Sequence, residues 1–363
     1  MEKQIRVLVV DDSVFMRQII TTILESDPAI KVTNIAKDGE KALEILKTEQ
    51  FDVITLDINM PRMDGITALK HIMATNPMPV VMISALTQEG ANETIQALSI
   101  GAVDYVAKPS GSISFDIDKQ RDEIVEKVKA AVTSKLRRVA LPTTKVKEVA
   151  PVKHVSSRAS DEPVEGVISR RKDVIVAIGA STGGPTTLLE ILPLFPKDLN
   201  ASVVLIQHMP SLFTKTFAQR LNESCEISVK EAEDNEFLKK SMVYVAKGSN
   251  QLLVREEPGT DRKILKIDSE TKAIYTPNVD IAFNSIAEIS KNIIGVVITG
   301  MGSDGSKGLL KIRNVGGRTI AEDESTSVIF GMPKESIKNG AAEYVLPAGK
   351  IAEKIIALVK EKA

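Results

Sequence analysis

Ile5-Arg-Val-Leu-Val-Val10-Asp11-Asp12-Ser13 is a mostly apolar run that ends abruptly in two carboxylates. Such a run reads as a strand buried on both faces, with its carboxyl end turned towards solvent. Val14–Glu25 follows with helical spacing. The same alternation then repeats outward. Apolar runs stand at Val32–Ala36, Val53–Leu56, Val80–Ile83 and Val103–Ala107, with helical patterns at Gly39–Thr48 and Ile66–Ala74. This rhythm predicts a parallel sheet covered by helices on both faces. A charged helical pattern from Asp118 to Arg138 closes the unit.

A second rhythm starts at Asp173, with apolar runs at Val174–Ile178, Val203–Ile206, Met242–Ala246, Gln251–Val254, Ile264–Ile267, Ile293–Ile298 and Arg318–Ala321. It is again α/β, and the close spacing between Met242 and Asp268 predicts hairpins added to this sheet. No repeat relates the two halves. Between them Pro142, Pro151 and Pro163 punctuate a Lys-, Glu-, Ser- and Val-containing stretch without sustained period. The expected division is a first domain at 1–125, its last helix extending as far as 138, a linker at 139–171 and a second domain at 172–363.

With 363 residues the chain suits two cores rather than one. Its 47 basic and 48 acidic side chains argue against a dedicated nucleic-acid or membrane-surface protein, which carries a basic excess. No apolar run reaches the roughly 18 residues of a membrane span, and no signal-peptide pattern precedes Ile5. One cysteine, Cys225, rules out a disulfide framework within the chain and suits a reducing compartment, most simply the cytoplasm.

In a parallel α/β sheet, ligands bind outside the carboxyl ends of the strands. In the first domain those ends carry Asp11 and Asp12, Asp57, Ser84 and Lys108. Three carboxylates with a hydroxyl and an ammonium suit Mg²⁺ and a phosphoryl group. Val-Val-Asp-Asp-Ser, Leu-Asp-Ile-Asn-Met-Pro-Arg-Met-Asp-Gly and Asp-Tyr-Val-Ala-Lys-Pro resemble the motifs of a response-regulator receiver domain, over residues 1 to about 125. The resemblance implies a flavodoxin-like fold with Asp57 as phosphoacceptor. It implies Mg²⁺ held by Asp11, Asp12, Asp57 and the backbone carbonyl of Asn59. Lys108 would pair with the phosphoryl group, and Ser84 and Tyr105 would form the switch pair. A histidine kinase would be the phosphodonor.

In the second domain the first strand runs into Gly179-Ala-Ser-Thr-Gly-Gly184, a formal G-x-S-x-G match that alone is weak, because glycine-rich strand–helix turns also bind phosphates. Of three histidines, His71 falls on a receiver helix pattern and His154 in the linker stretch. His208 follows the run Val203–Ile206 and is the one plausible general base beside Ser181. Asp304, in Gly300-Met-Gly-Ser-Asp-Gly305, is placed at a third strand end to orient the imidazole. The order Ser, His, Asp differs from that of the α/β-hydrolases. A rival reading stays open: Gly300, Gly302 and Gly305, with Glu322 and Asp323 further on, satisfy the dinucleotide fingerprint, although that leaves Ser181 and His208 unexplained.

Ile-Gly-Ala-Ser-Thr-Gly-Gly-Pro, Gln-His-Met-Pro, Thr-Gly-Met-Gly-Ser-Asp-Gly and Val-Ile-Phe-Gly-Met-Pro resemble the catalytic domain of chemotaxis protein-glutamate methylesterases, as does the order receiver then hydrolase. The resemblance implies a Rossmann-like serine hydrolase acting on γ-glutamyl methyl esters of chemoreceptors, with deamidation of receptor glutamines as a second activity. Ser181, His208 and Asp304 would form the triad, the N–H groups of Met301 and Thr182 the oxyanion site, and hydrolysis would need no cofactor. It also implies a receiver that packs over the substrate mouth until it is phosphorylated. The reading from a different class is a phosphorylation-gated binding or transcription module, against which stands the lack of a basic recognition helix.

Overall fold

Four polar side chains start helices of the first domain. The computed structural model describes residues 4–85, 87–108, 117–134 and 173–362, and in it Ser13, Asp38, Asp64 and Thr87 each accept a hydrogen bond from a backbone N–H of the first turn that follows. Such caps satisfy donors that the helix itself leaves unpaired. The helices so begun are α1 (Val14–Glu25), α2 (Gly39–Ile45), α3 (Gly65–Thr75) and α4 (Gln88–Ile100), with α5 (Ile117–Val132) last. They alternate with β1 (Ile5–Val10), β2 (Ile30–Ala36), β3 (Val53–Asp57), β4 (Val80–Ser84) and β5 (Asp104–Ala107). The strands form one parallel sheet in the order β2-β1-β3-β4-β5. β3 and β4 are buried at every residue, which is why they read as unbroken apolar runs.

The second sheet has seven strands, all parallel, in the order β14-β13-β12-β6-β7-β9-β8. They are β6 (Val174–Ala180), β7 (Ala201–Gln207), β8 (Ser228–Glu231), β9 (Met242–Val245), β12 (Ile293–Val297), β13 (Arg318–Glu322) and β14 (Tyr344–Leu346). Around them lie α6 (Gly184–Ile191), α7 (Ser211–Ser224), α8 (Val279–Ile289), α9 (Ser306–Asn314), α10 (Met332–Lys338) and α11 (Ala348–Lys362). β10 (Gln251–Glu256) and β11 (Lys263–Asp268) pair antiparallel as a separate hairpin beside α8, where the N–H of Val254 donates to Ser285 Oγ at 3.0 Å.

Both domains are thus doubly wound α/β sheets, as the rhythm predicts. The reading of Met242–Asp268 as hairpins needs correction, because its first strand joins the main sheet parallel to β7 and only the last two form a hairpin. β8 and β14 were not anticipated. They are edge strands of four and three residues, too short and too exposed to leave an apolar run. The linker expected at 139–171 lies outside the described residues, and so does the end of the charged pattern beyond residue 134. No helix among the described residues is long and apolar enough to cross a membrane.

The receiver docks on the second domain through α4, which packs against α6 and α7. Thr186 Oγ1 donates to the carbonyl of Leu98 at 3.2 Å, and Gln88 Nε2 donates to Thr216 Oγ1 at 2.5 Å. The ring of Tyr105 stacks on that of Phe213 with centroids 4.8 Å apart.

Candidate active site

β6 has β7 on one side and β12 on the other, so the chain reverses its winding direction there. Such a switch point opens a crevice outside the carboxyl ends of the strands. Ser181 follows β6, His208 follows β7, and Asp304 stands in the loop between β12 and α9. The turn after β6 needs its glycines: Gly183 has φ +76°, and a Cβ there would meet Val328 at 2.4 Å.

The three side chains meet. His208 Nδ1 stands 3.1 Å from Ser181 Oγ, and His208 Nε2 stands 2.8 Å from Asp304 Oδ2. A carboxylate only accepts, so the imidazole proton is assigned to Nε2 and the Nδ1 lone pair faces the serine hydroxyl. The ring is turned the opposite way from the commonest triad, in which Nε2 serves the nucleophile. Asp304 is also held by the first turn of α8: the N–H of Val279 donates to Oδ2 at 2.8 Å and that of Asp280 to Oδ1 at 3.0 Å. Burial pushes its carboxyl up, but the bond from His208, the charge of His208 and the two α8 donors outweigh that and hold it below the ordinary range. Gln207 Nε2 donates to the carbonyls of Ser181 at 3.0 Å and His208 at 3.1 Å, tying the two strand ends together.

Met301 and Thr182 flank Ser181, and neither backbone N–H donates to another group among the described residues. Thr182 is buried, so its N–H is shielded from bulk water as well. Glu322 serves the fold: it accepts from the N–H of Thr299 at 2.8 Å and from Thr326 Oγ1 at 3.0 Å. Asp323 caps the turn after β13, accepting from Thr326 and Ser325. With Asp304 committed to His208 and these two acids engaged locally, the dinucleotide reading loses its residues.

The receiver covers this crevice. A cavity of about 730 Å³ is lined by Ser181, His208 and Met301 from one domain and by Asp104, Glu126 and Lys127 from the other. Thr182 Oγ1 donates a short hydrogen bond to Asp104 Oδ2. Lys127 supports that carboxylate at 3.5 Å, donates to the carbonyl of Tyr105 at 2.7 Å and lies 5.0 Å from the Tyr105 ring centre. No sequence signal marked Asp104 or Lys127 as partners of the hydrolase, because their meeting depends on how the two sheets dock.

At the receiver's own switch point, Asp11, Asp12 and Asp57 bring carboxylate oxygens within 4.8 Å of one another. Lys108 Nζ stands 2.7 Å from Asp57 Oδ2 and 3.3 Å from Asp11 Oδ2. Asp11 Oδ2 is buried and lacks a well-formed hydrogen bond, so it suits a hard cation. Burial, against the Lys108 hydrogen bond and together with the charge of Asp11, pushes Asp57 up to about 6. Asn59 lies two residues past Asp57, its side-chain amide donating to Glu93 at 3.2 Å. Ser84 Oγ is buried, accepts from Thr94 Oγ1 at 2.8 Å and donates to the carbonyl of Gly90 at 3.2 Å. His71 sits on α3, exposed and remote from both clusters, and His154 lies outside the described residues.

The sequence model for the response regulator receiver domain matches residues 7–115, and that for CheB methylesterase matches residues 176–355. A protein-glutamate methylesterase/protein-glutamine glutaminase of Caldanaerobacter subterraneus is 44% identical over 366 residues, covering 100% of this chain and 99% of its own. One from Symbiobacterium thermophilum is 46% identical over 361 residues, covering 99% and 98%. The crystal structure of the Thermotoga maritima CheB methylesterase catalytic domain superposes with a TM-score of 0.50 at 46% identity, covering 52% of this chain and 99% of that one. With a receiver and a methylesterase domain in sequence, and identity of this level along its whole length, the chain belongs to the protein-glutamate methylesterase/protein-glutamine glutaminase family of chemotaxis response regulators.

Proposed function

We propose that this chain hydrolyses γ-glutamyl methyl esters on chemoreceptors, and deamidates receptor glutamines, through a Ser181–His208–Asp304 triad that phosphorylation of the receiver uncovers. The observation that carries the reading is the unbroken hydrogen-bonded run from Ser181 Oγ through both His208 nitrogens to Asp304, beneath receiver side chains.

Ser181 Oγ attacks the ester carbonyl while its proton passes to His208 Nδ1. The imidazolium keeps its Nε2 proton on Asp304, whose charge is stabilised by the α8 N–H groups. The carbonyl oxygen becomes an oxyanion facing the N–H groups of Met301 and Thr182, and one such donor is worth about 2.7–4 kcal/mol. His208 Nδ1 then protonates the departing methoxide and methanol leaves. Water attacks the acyl-enzyme with one proton taken by the same nitrogen, which returns it to Ser181 as the carboxylic acid departs and gives its remaining proton to solvent. A glutamine amide follows the same path and releases ammonia.

In the receiver, Asp57 accepts a phosphoryl group from a chemotaxis histidine kinase in the cytoplasm. Asp11, Asp12, Asp57 and the carbonyl of Asn59 would hold Mg²⁺, which offsets the negative charge of the transferring group. Lys108 then turns from Asp57 Oδ2 to the new phosphoryl oxygens, and Ser84 and Tyr105 rearrange. Tyr105 stacks on Phe213 of α7 and Asp104 binds Thr182, so movement of β5 loosens the cover directly. A shift from mostly closed to mostly open needs only a few kcal/mol.

The test is methanol release from methylated receptor by the whole chain, with and without a small phosphodonor and Mg²⁺. A rate that rises with phosphodonor and vanishes in Ser181→Ala supports the reading. An unchanged rate removes the gating, and activity persisting in Ser181→Ala removes the mechanism.

A further inference from the structure

The loop between β11 and α8 contributes an aromatic ring to the catalytic crevice. Tyr275 lies face to face with His208, with ring centroids 4.3 Å apart and planes inclined by 13°. Its hydroxyl reaches within 3.5 Å of where a Cβ on Gly302 would stand, so the ring bridges from the imidazole to the loop that carries Met301. The backbone of this loop is pinned. Buried Gln251 donates from Nε2 to the carbonyl of Tyr275 at 3.3 Å and accepts the N–H of Asn278 at 2.8 Å. Asn278 in turn caps α8, the helix whose first N–H groups hold Asp304.

We propose that Tyr275 is a positioning residue for the hydrolysis, clamping the His208 ring in the one orientation that serves Ser181 and Asp304 together. This rests on the triad reading above. The geometry makes the need plain: a half-turn of the imidazole about its Cβ–Cγ bond puts carbons where both nitrogens stand, and both hydrogen bonds are lost at once. Asp304 restrains the ring only along its edge, whereas a parallel aromatic face resists rotation out of the plane. The same face lies over the positive charge that appears when Ser181 gives up its proton, and an aromatic face favours a cation. A pinned loop holds this ring in place before substrate arrives, so no ordering is left for the reacting state.

The experiment uses the whole chain with phosphodonor and Mg²⁺, and reads kcat and KM for methanol release from methylated receptor in Tyr275→Phe and Tyr275→Leu. Phe keeps the stack, whereas Leu keeps bulk without a flat face. The expected result is a fall in kcat of about tenfold in Tyr275→Leu, equivalent to about 1.4 kcal/mol, with KM within about twofold. Tyr275→Phe should stay within about twofold of the parent in both. A Leu variant with parental kcat, a Phe variant as slow as Leu, or a loss confined to KM would overturn the clamp. Nitrogen NMR of the His208 imidazole in Tyr275→Ala is the second measurement. The parent should hold one neutral tautomer with its proton on Nε2 and the Ala variant should exchange between two, while a single tautomer in both would overturn the proposal. A Ser181→Ala control separates the two readings: activity there sinks the triad, whereas an inactive control beside a parental Leu variant sinks the clamp alone.

Discussion

Asp57 and Asp304 begin from similar positions and end as opposites. Each is a buried carboxylate on the carboxyl side of its parallel sheet, Asp57 ending β3 and Asp304 in the loop after β12, and each faces one basic side chain. Burial raises both. Asp57 has Lys108 and one backbone donor, that of Ile58, and it faces the negative charge of Asp11; the result is a value of about 6. Asp304 has His208 and two N–H groups from the start of α8, and the result lies below the ordinary range. The difference teaches that partners decide what a buried carboxylate can do: His208, helped by the α8 donors, outweighs burial at Asp304, whereas Lys108, opposed by Asp11, does not at Asp57. A more basic carboxylate is the better nucleophile towards phosphorus and a better ligand for a cation. A carboxylate held charged is the better anchor for an imidazolium.

The sharpest way to break this comparison is to neutralise each member. Asp304→Asn should lower hydrolysis about 10³–10⁴-fold, because the amide turns its own donor towards His208 and favours the wrong tautomer. Ser181→Ala and His208→Ala should fall further still, since these two act as a unit on the proton. Methanol release under initial-rate conditions measures all three, and an Asp304→Asn rate near the parent's would show that the Asp304 carboxylate neither orients nor charges His208 to any consequence.

On the receiver side, Asp57→Asn should abolish Mg²⁺-dependent incorporation of acid-labile phosphate, and the ratio of rates with and without phosphodonor should fall to one. Phosphate persisting on that variant would move the acceptor to Asp11 or Asp12 and dissolve the contrast.

The link between the two sites is Asp104. Loss of the charge behind its hydrogen bond with Thr182 in Asp104→Asn should raise the rate without phosphodonor by about threefold to tenfold, as expected for weakening one buried charge-assisted bond. An unchanged rate would mean that the receiver's cover rests on packing at Tyr105 and Phe213 instead.

The smallest effect concerns stability. Asp57 binds its proton more tightly in the folded chain, at about 6, than at its ordinary value of 3.8. The stabilisation this brings is full below about 3.8 and is lost as pH rises through about 6. With a chelator present, the advantage in Tm of Asp57→Asn over the parent should therefore widen between pH 5 and pH 7.5. A constant difference across that range would show that Lys108 already compensates the buried charge.

Much of this was written in local sequence, for a physical reason. In parallel sheets the strands are continuous apolar runs and the polar residues at their ends are the ones that meet ligands, so Asp11, Asp57, Ser181 and His208 announce themselves in one dimension. β8 and β14 did not, because short edge strands need little apolar surface. Sequence alone determined that two α/β units stand in line, which strand ends carry acids or a hydroxyl, and that His208 follows the strand run next after the one that leads into Ser181. Tertiary structure decided the rest: that α8 points its N–H groups at Asp304, that Nδ1 rather than Nε2 faces Ser181, that Tyr275 lies on the imidazole, and that Asp104 reaches across to Thr182. These depend on distances between elements far apart in the chain, set by how helices and whole sheets pack, and no local pattern of residue types encodes them.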